Sequence, residues 1–286
     1  MKCKYLSFLM VLAICFSCNQ KSKEIVIIPD AEKDHRQRNH IFGEAKTITT
    51  CSYYISQQAE IDTTYSNKIL YSKSIQNYSP DGFLTSIISM DENEDTVSIR
   101  KIHYSGDAKQ QYWVLATSDG KVVDSCHYDY DISGFLAKEK RFSMDSLYYQ
   151  ISYKTDAMGN VIEMWLDNGE FVLYNTLQYN NDGLLIRTNE YSPDNKLFKF
   201  STIEYDNYGD EVNRRVFKQG NEIIEYTYTE YDEKGRILSK IYEDRMSNYR
   251  EDYQYPTHDN FGNWTVEQRK IGNNMTNSRE RSINYY

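Results

Sequence analysis

From about Ala45 to Tyr286, short runs alternating apolar or β-branched with polar side chains are separated by clusters of Asp, Asn, Gly and Ser. A period of two reads as half-buried strand, and no stretch keeps apolar residues at helical spacing for three turns, so the body is expected to hold almost no helix. Six glycines pace the pattern: Gly134, Gly159, Gly183, Gly209, Gly235 and Gly262 follow one another at intervals of 25, 24, 26, 26 and 27 residues. The best copies are Tyr130-Asp131-Ile132-Ser133-Gly134-Phe135-Leu136, Tyr205-Asp206-Asn207-Tyr208-Gly209 and Tyr231-Asp232-Glu233-Lys234-Gly235-Arg236-Ile237. Each reads as a strand end, a turn and a new strand.

Every repeat is expected to contain two strands. The first begins just past the glycine, with an apolar residue two positions on: Leu84, Leu136, Val161, Leu185, Ile237 and Trp264, with Glu211 as the exception. A second turn follows at Asp167-Asn168-Gly169, Ser192-Pro193-Asp194-Asn195 and Gln219-Gly220-Asn221, rich in residues that accept positive φ or Asx geometry. Gly82 marks an earlier copy, Tyr104-Ser105-Gly106 another with a displaced glycine, and Asp119-Gly120 its mid-repeat turn. Ser282 to Tyr286 supplies a last strand that closes the array. The fold class is therefore all-β, an antiparallel strip of hairpin repeats. About sixteen strands exceed what a twisted open sheet carries flat, so the strip curls or partly closes. Both faces carry Tyr: Tyr231 shares one with Thr227 and Thr229, while Tyr226 and Tyr228 point the other way.

Composition agrees with this reading: 27 Tyr outnumber 11 Phe and 3 Trp combined, and Tyr suits a half-buried pleated surface. The formal charge of -9, with basic residues dispersed among acids, removes the basic stripe that nucleic-acid binding needs.

The N-terminus reads as an address. Met1 to Lys4 is a short positive segment and Tyr5 to Phe16 an apolar run too short to span a bilayer but of signal-peptide length. Its end, Cys15-Phe16-Ser17-Cys18, resembles a bacterial lipobox, with Cys15 and Phe16 departing from the usual residues. The expected division is a signal peptide over 1–17, a lipidated Cys18 with a charged tether over 18–44, and one β-repeat domain over 45–286. The alternative is an ordinary secretory signal cleaved near Ser17; export follows in either case. The polar residues after Cys18 lack the Asp of inner-membrane retention, which favours the outer membrane. Beyond Cys18 the remaining cysteines are Cys51 and Cys126. An oxidising compartment permits a disulfide, and two buried free thiols are the favoured alternative.

No catalytic constellation accompanies the repeats. The five His have no ligand spacing, and Asp91 to Asp95 resembles a calcium loop but lacks the turn glycine and the bidentate Glu. The turn acids are explained by turn chemistry, and no nucleophile elbow, phosphate loop or dinucleotide fingerprint appears. No enzyme activity, metal or cofactor is expected. Aromatic surface remains, and Trp113, Trp165 and Trp264 are the candidate ligand contacts, set against the reading that cross-strand aromatic ladders only stabilise sheets.

The tyrosine-aspartate-glycine copies resemble the YD repeats of the RHS family, over roughly residues 78 to 265. That resemblance implies a continuous antiparallel β strip, which in long members spirals into a shell around a toxin. Here neither a C-terminal toxin region nor an autoproteolytic motif is evident, so the resemblance implies a fold more than an activity. The preferred functional expectation is an outer-membrane lipoprotein whose sheet binds a glycan or an envelope protein without catalysis. An accessory component pairing through sheet edges is second, and a carboxylate hydrolase third.

Overall fold

The computed structural model describes residue 41 and residues 43–55, 68–107, 109–272 and 274–286. The signal segment, Cys18 and nearly all of the tether lie outside these residues. The described chain forms eighteen strands in sequence order. They are β1 (Ala45–Ile55), β2 (Lys68–Tyr78), β3 (Leu84–Met90), β4 (Thr96–Tyr104), β5 (Gln110–Thr117), β6 (Val122–Tyr130), β7 (Leu136–Ser143), β8 (Ser146–Thr155) and β9 (Val161–Asp167), followed by β10 (Val172–Tyr179), β11 (Leu185–Tyr191), β12 (Leu197–Tyr205), β13 (Glu211–Lys218), β14 (Ile223–Tyr231), β15 (Ile237–Asp244), β16 (Asn248–His258), β17 (Trp264–Ile271) and β18 (Asn274–Tyr285). Each strand pairs antiparallel with the next, and β18 pairs with β1, so the sheet is a closed up-and-down barrel. The expected strip of about sixteen strands is thus an eighteen-strand ring. Twist accumulated over so many neighbours brings the first strand to the last.

The turns explain the regularity. In the Gly134 copy, Asp131 N–H donates to the Phe135 carbonyl at 2.8 Å, Gly134 N–H donates to the Asp131 carbonyl at 2.9 Å, and the Asp131 carboxylate accepts from Phe135 N–H at 2.9 Å. This is a type I turn followed by a left-handed residue that makes a bulge. The same bonds recur around Asp156, Asn180, Asp206, Asp232 and Asp259. Gly82, Gly134, Gly159, Gly183, Gly209, Gly235 and Gly262 all have φ between 72° and 85°. Gly159 carries a second constraint, since a Cβ there would stand 2.5 Å from the Phe135 ring. Gly106 is different: it lacks a positive φ, and its turn runs from Ser105 to Lys109.

The repeat tyrosine sits opposite the residue two beyond the glycine, as Tyr130 opposite Leu136 and Tyr205 opposite Glu211. Its hydroxyl reaches back to the corresponding backbone carbonyl of the preceding repeat. Tyr104 donates to Leu84 at 2.9 Å, Tyr130 to Gln110 at 2.7 Å, Tyr179 to Val161 at 2.9 Å, Tyr205 to Leu185 at 2.8 Å and Tyr231 to Glu211 at 3.0 Å. Burial pushes the Tyr130 and Tyr179 hydroxyls up to about 12, keeping them donors. Because the acceptor is main chain, the polar Gln110 and Glu211 at a mostly apolar position do not break the stitch. The hydroxyl of Tyr286 donates to the Tyr78 carbonyl at 2.5 Å and draws the end of the chain against β2.

Register assigns the two faces. Lys101, His103, His127, Lys154, Glu204 and Gln254 are exposed and share one face, which is the outer wall. Tyr149, Ile151, Tyr153, Met164, Leu166, Leu177 and Ile203 share the opposite, inner face and form the apolar core against β8 to β12. Elsewhere the inner wall is charged and aromatic. Cys51 lies on the outer face of β1 and Cys126 on the inner face of β6, and both are free thiols. Five strand spacings of about 4.8 Å and opposite facing keep them beyond disulfide reach.

Candidate functional site

The three tryptophans, which sequence alone cannot rank, fall in three separate places around the barrel. Trp113, on the inner face of β5, is held between two guanidinium groups, with Arg100 and Arg141 centred 4.5 and 5.4 Å from its ring. Its indole N–H donates to the Tyr128 hydroxyl at 3.1 Å. Arg141 forks onto Asp124, with Nη2 to Oδ2 at 2.5 Å, and its Nη1 donates to the Tyr149 hydroxyl at 3.3 Å. The Asp124 carboxylate holds the guanidinium charged, raising its pKa. Below it, the Tyr153 hydroxyl donates to Glu139 at 3.1 Å, and burial pushes the Glu139 carboxyl above the ordinary range.

Trp264 opens β17 and is covered by Arg281, whose guanidinium lies 3.8 Å from the ring centroid, with Arg279 at 5.7 Å. Arg281 Nε donates to the Trp264 carbonyl at 3.0 Å, and burial lowers its pKa to about 10. Arg279 pairs with Glu267, and Arg269 with Glu251 at 3.0 Å. Beside them Tyr71, Tyr253, Glu267, Arg269, Asn277 and Arg279 line an inner cavity of about 210 Å³. Trp113 and Trp264 therefore act as platforms for the protein's own arginines. This charged inner wall is absent from the sequence-level candidates. Its only signal was charge at alternate positions, as in Glu139 and Arg141 or Glu267 and Arg269, which reads equally well as a solvated face.

Trp165 is on the outer face of β9 and stacks on Tyr174 at 5.4 Å, with Tyr174 against Tyr191 at 5.2 Å. Cross-strand register produces this row: Trp165 faces Tyr174, and Tyr174 faces Tyr191. The Tyr174 hydroxyl donates to Glu163 at 3.0 Å, and Lys154 pairs with the same carboxylate at 2.5 Å, holding it below its ordinary pKa. Trp165, Tyr174 and Glu163, with Val172, Ser192, Pro193 and Asn195, line a shallow depression of about 370 Å³ near the rim away from the glycine turns. Of the three candidate residues, Trp165 alone lines either cavity described here.

Two carboxyls have raised pKa values, the buried Glu139 on β7 and the half-buried Glu190 on β11, both through loss of hydration. They stand four strands apart, about 19 Å along the wall, against the roughly 5 to 9.5 Å of a glycosidase pair. Asp91, at the acidic tip, accepts from Asn93 and Asp95 N–H at 2.9 and 3.0 Å and serves the turn itself. Among the described residues no group of three or more His, Cys, Asp and Glu is arranged to hold a metal ion.

The outer wall carries Lys138, Lys140, Lys154, Glu163, Glu204, Arg215, Glu230 and Arg250 around the ring. A barrel that crosses a bilayer needs an apolar outer band, and a cation at the midplane costs about 2 to 4 kcal/mol. The charges on this wall are incompatible with lipid-facing strands.

No known protein family matches the chain, and no curated protein does. Among solved structures it is similar to a porin-like protein from Bacteroides uniformis, at 13% identity and a TM-score of 0.45, covering 85% of this chain and 98% of that one. A porin-like protein from Bacteroides vulgatus is similar at 10% identity, TM-score 0.34 and the same coverage. The TcdB2-TccC3-TEV structure is similar at 12% identity and TM-score 0.37, covering 74% of this chain and 14% of that one.

Proposed function

We propose that this protein is a lipid-anchored barrel of the bacterial envelope that binds a glycan on its outer wall without chemical conversion, and that its repeats are of the YD kind. The supporting observation is the Trp165 depression. An indole edge, a tyrosine row, a carboxylate and an amide on one side of a rigid sheet are the groups that stack on a sugar and hydrogen-bond its hydroxyls. Titration of the purified chain with a panel of envelope and dietary polysaccharides, read by tryptophan fluorescence, tests this. Binding weakened at least tenfold by Trp165→Ala and unchanged by Tyr208→Ser is expected. No binding across the panel, or binding indifferent to Trp165, sinks the reading. Anchoring has its own check, since the acylated protein should stay with membranes through an alkaline carbonate wash and Cys18→Ala should be extracted by it.

A protein partner is the second reading, favoured by a ring of exposed apolar residues. Ile69, Val97, Val122, Leu147, Val172, Phe198, Ile223 and Tyr249 each stand at the first or second position of an even-numbered strand, near the rim that holds the Trp165 depression. Pairing through sheet edges is withdrawn: in the closed ring every strand has two partners among the described residues, which leaves no edge to extend.

A further inference from the structure

The two rims of the barrel differ, and the body of the chain begins at one of them. Ala45 lies opposite Tyr285, and Thr47 opposite Asn77, so β1 starts at the rim built by the glycine turns. Tyr286 N–H donates to the Glu44 carbonyl at 3.0 Å on the same rim. Residues between Cys18 and Gly43 therefore join the barrel there, and that length of chain spans at most about 85 Å when fully extended.

The glycine-turn rim also projects apolar side chains at its outermost positions. In the turns after Asp131, Asp156, Asp206 and Asp259 the protruding residues are Ile132, Met158, Tyr208 and Phe261. Ile132 is fully exposed, while Tyr208, Met158 and Phe261 keep 72%, 65% and 54% of their surface. The acids of these turns are folded back. Asp156 accepts from Met158 and Asn160 N–H, both at 2.9 Å, Asp206 from Tyr208 N–H at 2.8 Å, and Asp259 from Phe261 N–H at 2.9 Å. At the opposite rim two large apolar residues, Met144 and Met246, occupy tips; exposed acids occur at both rims, Glu92, Asp119, Asp145 and Asp194 there and Asp81, Asp107, Asp182 and Glu233 in the remaining glycine-rim turns.

We infer that the glycine-turn rim rests on a lipid surface, with Ile132, Met158, Tyr208 and Phe261 dipping into the interface. The inference rests on the lipid-anchor reading for its setting, but it concerns the barrel's own side chains. Four side chains spread around one rim define a plane, as a bilayer does, and interfacial Tyr and Phe with apolar neighbours suit the headgroup boundary. The net negative charge of the chain points to zwitterionic rather than anionic lipid. The barrel then stands upright, with the Trp165 depression directed away from the membrane.

The test uses the mature chain carrying Cys18→Ala, so that no acyl chain contributes, in co-flotation with phosphatidylcholine and phosphatidylethanolamine vesicles. The unacylated chain should float, and Ile132→Ser, Met158→Ser and Tyr208→Ser together should reduce the floating fraction at least tenfold. Phe261 is left in place because its ring packs at 4.4 Å on Tyr285 near the β1–β18 seam. The control Met144→Ser with Met246→Ser should float like the parent, and circular dichroism should be the same for all three. Absence of flotation in the parent, equal loss from the control pair, or binding that appears only with anionic lipid overturns the inference. A Cys18→Ala protein extracted by the carbonate wash that still floats on vesicles supports both readings. One extracted that does not float leaves the anchor standing and removes the rim contact.

Discussion

The repeat hydroxyls can be removed while their rings stay in place. Tyr179, Tyr205 and Tyr231 donate to the carbonyls of Val161, Leu185 and Glu211 at 2.9, 2.8 and 3.0 Å. Tyr→Phe at each keeps the ring and its burial. A hydrogen bond contributes a net 0.5 to 1.5 kcal/mol or so, and a buried carbonyl left unpaired costs about 1 to 3 kcal/mol. The rings are half-buried and near a rim, so about 1 kcal/mol per site is the reasonable magnitude. The three tyrosines lie on β10, β12 and β14, successive pairs about 10 Å apart, far enough for the losses to add. The triple variant should therefore lose about 3 kcal/mol. For a chain of this size that is a fall in Tm of roughly 6 to 12 °C. Urea unfolding of the single and triple variants with unchanged m-value, checked by calorimetry, measures it. A triple variant within 1 kcal/mol of the parent refutes the stitch, as does an equal loss from Tyr208→Phe at an exposed turn tip.

Three further outcomes are expected. Gly159→Ala should destabilise by about 2 to 3 kcal/mol against about 1 kcal/mol for Gly220→Ala, because both have positive φ but only the first puts a Cβ onto a ring; equal melting temperatures would show that Phe135 yields freely. Met144 and Asp145 form a two-residue hairpin turn with φ of 46° and 65°, so Met144→Asn with Asp145→Gly should add about 1 kcal/mol in urea melts, and a loss would mean the Met side chain has a packing role. Burial raises the Glu139 pKa in the folded state. The folded protein thus holds a proton the unfolded chain has released, and stability from this group is present below the unfolded pKa near 4.3 and falls as pH rises through the folded value. Glu139→Gln should flatten that part of the stability-versus-pH curve, and an unchanged slope would count against a buried neutral carboxyl.

Much of the turn architecture was legible because one residue type at one spacing carries a backbone requirement. Gly134, Gly159 and Gly235 announce a left-handed position through chemistry that no neighbour supplies. Glu211 looked like an exception only because the side chain was read where the structure uses the carbonyl. Closure was less visible, since no local feature of Ala45 or Tyr285 states that they pair; it follows from summed twist over eighteen strands. The tryptophans were underdetermined for another reason. Whether an indole face meets a ligand or an arginine depends on residues two strands away, as with Arg141 on β7 reaching Trp113 on β5, and sequence spacing carries no trace of that neighbour.

The pairing of β18 with β1 also sets a clock on biogenesis. Tyr285 lies opposite Ala45, so the contact that seals the ring joins the first-made strand of the body to the last. Such a distant pairing is entropically slow to form. Until β18 arrives, β1 and β17 each carry a row of unpaired amides, and the growing meander is a sticky ribbon with two open borders. A chain still being made is in that state until residues 274–285 have emerged. The protein's resistance to strand invasion is thus acquired in a single late step, and the interval before it is when a holding chaperone matters most.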